Sequence, residues 1–216
     1  MRYYKFRAFN GRNIISLIEN TIYASELSRL NDPFEGRYCK DERVSLELQE
    51  QQKHLDARIS RRAVFSLCAS EDEEFVFGAI HLWAYYADNH KGFCIEYNDS
   101  INNMYDGSSF LKSGKVKYKS SLPDGPNGYC AKTDEEYLYE ICGTKSDVWK
   151  GEYEYRMYFM KSGLKGIYSN SVSAIYLGCR MSPEHKSFMK DIAEHKGIPC
   201  YELEQSGTEY RLQIRQ

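Results

Sequence analysis

The chain has 216 residues, enough for one large domain with a real core, and 42% of it is apolar, an ordinary globular share. A formal net charge of −2, with acidic and basic residues well mixed, argues against a duplex-DNA coat or a polybasic membrane module. No run approaches the roughly 18 apolar residues of a membrane helix, and the opening MRYYKFRAFNG lacks a signal peptide's apolar core. The expectation is a cytoplasmic protein with no membrane partner.

In chain order, Tyr3–Arg7 reads as an opening strand. Asn13 is placed to cap a short helix through Ile14, Ile15, Leu17 and Ile18, and Thr21–Ala24 is a second strand. Leu30-Asn-Asp-Pro-Phe-Glu35 is a turn, because Asn and Asp bond their own backbone and Pro33 fixes φ. Asp41–Ile59 has helical spacing, and Ala63–Ala69 has the length of a buried strand. The following helix carries Ala79, Leu82, Trp83, Tyr86 and Ala87 on one stripe, with Gly92 to end it.

Phe93–Tyr97 and Lys115–Lys119 are strands, and Ser120–Ala131 is a loop. Thr133–Ile141 reads as helix, and Glu152–Met160 and Val172–Leu177 as strands. Ser182-Pro183 starts a helix that ends near Gly197, and strands Cys200–Leu203 and Thr208–Ile214 close the chain. Strands outnumber helices without alternating with them. That predicts a single α+β domain over 1–216 with a mainly antiparallel or mixed sheet flanked by helices. The seven cysteines are dispersed, with no C-x-x-C pair, so they read as reduced thiols and signal no zinc or redox site.

Chemistry is expected on the strand Trp149–Phe159. Its two-residue period puts Trp149, Tyr153, Tyr155, Met157 and Phe159 on an apolar face, and Glu152, Glu154 and Arg156 on the other. Carboxylates two apart on one face lie roughly 7 Å from each other, close enough to perturb one another's protonation. Arg156 would instead keep them charged, and the bland alternative is a solvated face with an in-strand ion pair. Tyr86 and His90, four apart, would share a helix face, with His90 near the C-terminus where the dipole favours its protonated form. Lys5 and Arg7 share a strand face suited to a phosphate, or simply form a polar edge. Ser66 is a lone polar residue in a buried strand, by default bonded to backbone. Nucleotide-loop, metalloprotease, serine-hydrolase and zinc-deaminase signatures are absent, and the histidines show no ligand spacing.

Five segments occur in a specific order: Tyr4-Lys-Phe-Arg7; Leu30-Asn-Asp-Pro-Phe-Glu35; Phe65-Ser66; Trp83-x-x-Tyr86-x-x-x-His90-x-Gly92-Phe-Cys-Ile; and Trp149-x-x-Glu152-x-Glu154-x-Arg156. Together they resemble the bacterial domain of unknown function 2971 family over nearly the whole chain. More loosely, they resemble the ADP-ribosyltransferase fold, a sheet split around a cleft.

The looser resemblance implies NAD as substrate and no metal. Lys5 or Arg7 would bind the NAD phosphates or nicotinamide ribose, Ser66 the nicotinamide edge and Tyr86 the ring, with Tyr4 and His90 also among the cofactor-binding residues. Glu154 would stabilise the oxocarbenium ion and Glu152 would orient a protein or nucleic-acid acceptor, in a toxin or phage-defence setting. The opening strand lacks the histidine of that pattern, and no Ser-Thr-Ser triplet follows Phe65. Two other readings stand beside it. One is a magnesium-dependent nuclease or phosphodiesterase drawing on Asp32, Glu35, Asp147, Glu152 and Glu154. The other is a non-catalytic binding or sensor module.

Overall fold

The computed structural model describes residues 1–40, 45–104, 109–125 and 134–215. Local chemistry sets most element ends. The opening strand β1 (Arg2–Arg7) leads to helix α1 (Gly11–Ile18), where Asn10, not Asn13, is the cap: its side chain accepts from the Asn13 amide. Asn13 is the residue capped, and its own side chain bonds Ala8 and Arg7. Strand β2 (Thr21–Glu26) and helix α2 (Leu46–Ser60, capped by Ser45) follow; residues 41–44 of the expected helix lie outside the described residues.

Then come β3 (Ala63–Ser70), the short helices α3 (Phe75–Gly78) and α4 (Ile80–Tyr86), and β4 (Phe93–Tyr97). The expected strand at Lys115–Lys119 is two, β5 (Phe110–Lys115) and β6 (Lys117–Lys119). Helix α5 (Asp134–Cys142) leads to β7 (Thr144–Ser146), β8 (Glu154–Phe159), β9 (Gly163–Gly166) and β10 (Val172–Leu177). Helix α6 (Pro183–Lys196) has Ser182 as cap and Gly197 in the left-handed conformation at its end. Strands β11 (Cys200–Gln205) and β12 (Leu212–Ile214) close the chain. The last strand is shorter than its alternation predicts, because residues 207–211 form a bend.

This is an α+β fold with a mixed sheet flanked by helices: β10 runs parallel to β11, while β1, β3, β4 and β10 pair antiparallel. The residues group into two compact units. The first comprises Met1–Ile22, Leu67–Gly107 and Lys165–Gln216, and the second Tyr23–Ser66 and Ser108–Leu164. In the first, the strand order is β12-β11-β10-β4-β1-β3. Its core gathers Tyr4, Phe6, Leu82, Trp83, Cys94 and Tyr176, with the indole N–H of Trp83 donating to the Val76 carbonyl at 2.8 Å. In the second, β5 pairs antiparallel with β8, β2 with β3, and β6 parallel with β7. Leu55 and Ile59 of α2 pack there with Leu138 and Ile141 of α5 and Tyr158 of β8. No helix among the described residues is long and apolar enough to cross a membrane.

Candidate functional site

The expected strand Trp149–Phe159 begins five residues late. Asp147–Glu152 is a 3-10 turn that Tyr153 ends with φ +49°, and regular alternation starts only at Glu154. Glu152 therefore does not share a strand face with Glu154. The even-numbered face carries Glu154, Arg156 and Tyr158, and it is the face covered by helix: Tyr158 packs with α2 and α5, and Arg156 Nη1 donates to the Cys142 carbonyl at the end of α5. Neither a solvated face nor an open one results. Arg156 is 0% exposed, and Glu152 and Glu154 are buried.

A closed charge network stabilises this burial. Arg156 Nε donates to Glu154 Oε1 at 2.6 Å, and Nη2 reaches Glu154 Oε2 at 3.1 Å and Glu35 Oε1 at 2.6 Å. Lys145, 3% exposed at the side chain, brings its ammonium to Glu152 (2.6 Å), Glu154 (3.1 Å) and Glu35 (3.6 Å). Three carboxylates thus meet two cations in a low-dielectric interior, where each charge would be costly alone. Burial alone would push Glu154 up, but Arg156, Lys145 and a hydrogen bond from Ser66 hold its carboxyl at about 2. The Ser66 hydroxyl, in a buried strand, thus serves this carboxylate.

Two local devices place the network. Glu35 closes the turn expected from Asn31–Glu35: the Phe34 amide donates to Asp32 Oδ1 at 2.9 Å, and Gly36 turns the chain at φ +69°. Gly143 joins α5 to β7 where a Cβ would stand 2.6 Å from the Tyr158 hydroxyl and 2.7 Å from the Tyr139 carbonyl. That close approach sets Thr144 and Lys145 beside the carboxylates.

One carboxylate is not fully engaged. Glu35 Oε2 is buried with no hydrogen-bond partner among the described residues, as is the Thr144 hydroxyl oxygen. Glu35, Thr144 and Lys145 all line a cleft of about 210 Å³ that is also lined by Asp32, Arg37 and Lys119. Burial raises the Glu35 carboxyl above its ordinary range, against the pull of Arg156 and Lys145. A buried carboxylate with one oxygen clamped and one unpartnered can hold a proton or oppose a developing positive charge.

The second unit thus brings together Glu152, Glu154 and Ser66, and adds Glu35 and Lys145. Tyr4, Lys5, Arg7, Tyr86 and His90 belong to the first unit. Tyr4 is fully buried, with its ring 5.3 Å from Phe75, and Arg7 Nη1 donates to Asn13 Oδ1 at 3.0 Å. Tyr86 ends α4, and His90 lies beyond the helix at φ +69°, so the two do not stack four apart. The His90 ring is stacked on Trp83 instead, with centroids 6.3 Å apart. Burial and the nearby Arg180 lower its pKa, the reverse of the expected dipole effect.

Among the described residues no group of three or more His, Cys, Asp or Glu side chains is placed to hold a metal ion. The ammonium of Lys145 occupies the point on which Glu35, Glu152 and Glu154 converge. Lys145 had no motif to mark it. The signal available was an excess of carboxylates around a predicted buried strand, which requires a second cation. No protein-family model, curated protein or solved structure matches the chain.

Proposed function

We propose that the chain is a glycosyl-transfer enzyme of the ADP-ribosyltransferase type that breaks the nicotinamide–ribose bond of NAD, with Glu35 rather than Glu154 facing the reacting sugar. The divided carboxylate of Glu35 carries this reading. Both oxygens of Glu154 are taken by cations, so it has no open oxygen for a substrate. Glu35 keeps Oε2 buried and unpartnered among the described residues, and Glu35 and Thr144 line the same cleft.

At about 210 Å³ the cleft is below the ~300 Å³ typical of sites for a whole drug-sized ligand, so it admits a ring or sugar and leaves the phosphates on the rim near Arg37. As the C–N bond breaks, nicotinamide leaves with the electron pair and positive charge builds on the sugar. Glu35, fixed in place by its hydrogen bond from Arg156, opposes that charge without reorganising. The acceptor oxygen, from water or another molecule, then bonds the sugar carbon and gives up its proton. Glu154, Glu152, Lys145 and Arg156 position Glu35.

The test is nicotinamide release from NAD alongside a thermal shift. Glu35→Gln should abolish release while the protein stays folded. Protein saturated with NAD that shows neither shift nor release, or release undiminished in Glu35→Gln, would remove the reading. The saturation of Glu154 by cations favours a second reading, a non-catalytic binding module. It predicts a ligand-induced thermal shift with no turnover.

A further inference from the structure

The first unit contains a separate cavity of about 590 Å³, within the range of small-molecule sites. It is lined by Ile80, His90, Arg180, Tyr210 and Arg211, with residues 206–209 along one wall. The backbone leading to it is held in an uncommon shape. Asp88, Asn89 and His90 are three successive non-glycine residues at φ +47°, +52° and +69°. Such a run costs free energy at each residue and persists only where the surroundings fix it.

Here the surroundings do. The His90 amide donates to the Trp83 carbonyl at 3.2 Å, and the Arg180 amide donates to the His90 carbonyl at 3.0 Å. Gly178 passes so close that a Cβ there would lie 2.2 Å from the His90 carbonyl oxygen. The strained turn therefore fixes the His90 backbone against that of Arg180, and both residues line the cavity.

The His90 ring packs on Trp83, but the hydrogen-bonding groups of both side chains are unengaged among the described residues. Among the described residues, Arg180 has no acidic partner and no ring nitrogen of His90 has a hydrogen-bond partner; Nδ1 is buried, which leaves Nε2 for a ligand. The other charges on the wall are accounted for. Arg211 holds Glu74 at 2.8 Å and lies 3.8 Å from Glu209, so Arg180 is the guanidinium left without a carboxylate among the described residues. At the rim, the Tyr210 ring is fully exposed.

We propose that this cavity binds a nucleotide-sized organic anion, with Arg180 on the oxyanion, His90 Nε2 hydrogen-bonded beside it, and Tyr210 against a planar ring. The guanidinium suits a phosphate or carboxylate fork, and an exposed aromatic face suits a base. The inference does not rest on the NAD reading, since this cavity can take its ligand whether or not the Glu35 cleft turns NAD over.

The experiment is NMR of the histidine ring nitrogens of the whole protein, titrated with AMP and separately with inorganic phosphate. AMP should shift the His90 ring signals and leave those of His54, His81, His185 and His195 in place. It should bind about tenfold more tightly than phosphate, and Arg180→Gln should weaken it about tenfold. Arg180 is exposed, so that variant retains the fold. Unmoved His90 signals, or AMP binding unchanged in Arg180→Gln, would overturn the site. Phosphate binding as tightly as AMP would overturn its recognition of a ring.

Discussion

Replacing Arg156 with Met keeps an unbranched apolar stem and deletes the charge at the centre of the network. The wild-type guanidinium makes four hydrogen bonds, to both oxygens of Glu154, to Glu35 Oε1 and to the Cys142 carbonyl, at 2.6–3.1 Å and 0% exposure. Losing one partner of a buried ion pair costs about 3–5 kcal/mol. The acid–base behaviour of Glu154 gives the same scale: a carboxyl held at about 2 instead of 4.5 corresponds to about 3 kcal/mol favouring its charged form.

For a chain of this length each kcal/mol moves Tm by about 2–4 °C, so the loss is on the order of 10 °C at neutral pH. The sign with pH follows. Because the folded value lies below the unfolded one, Glu154 contributes its full stabilisation above pH 4.5 and loses it as pH falls toward about 2. Glu35 is shifted upward and acts in the opposite sense, its burial penalty being relieved by acid. Without Arg156, Glu154 also moves upward, so acid should narrow the Tm gap between Arg156→Met and wild type. Calorimetric melts from neutral to acid pH measure this. A gap that stays constant with pH, or a neutral-pH loss of less than about 2 °C, would refute the account, the latter being the range of an ordinary surface substitution.

Two further outcomes follow from the same unit. Lys145→Ser should leave Glu35, Glu152 and Glu154 without their shared ammonium. The variant should then be less stable than wild type but gain Tm on addition of magnesium, where wild type gains none; no magnesium response in thermal-shift measurements would count against the convergence of the three carboxylates. Gly143→Ala should lose about 1–3 kcal/mol in denaturant unfolding. Adding Tyr158→Phe should restore only part of it, because the Tyr139 carbonyl, 2.7 Å from the new Cβ, remains.

The parts of the fold legible in the sequence are those decided locally. Ser182-Pro183 and Gly197 bracket α6 because cap, fixed φ and left-handed glycine act within a turn of where they stand. Phe93–Tyr97 and Val172–Leu177 read as strands because all but Glu96 and Ser173 there are apolar or aromatic. For β8 the period was legible and the covered face was not. Charged residues ordinarily mark the solvent side, and only the arrival of α5, Glu35 and Lys145 makes an inward charged face tolerable. The run Asp88-Asn-His90 shows the complementary gap. Those residue types are among the commoner left-handed non-glycines, but a helical stripe through Tyr86 masked the break that follows it.

The inward charged face of β8 also discriminates between pairings of the strand. A hydrophobic strand face accepts a slip of two residues against its neighbour with little loss, since one apolar residue replaces another. Here Gly114 of β5 stands opposite Arg156. A two-residue slip would carry the guanidinium away from Glu35 and the Cys142 carbonyl, leaving buried charges unmatched. A one-residue slip would turn Tyr155 inward and Glu154 and Arg156 outward, stranding Lys145. Only one register of this strand sets Arg156 on Glu35 and Glu154 on Lys145, partners supplied by segments far apart in the chain. The network therefore acts as a lock on alignment as much as a source of stability.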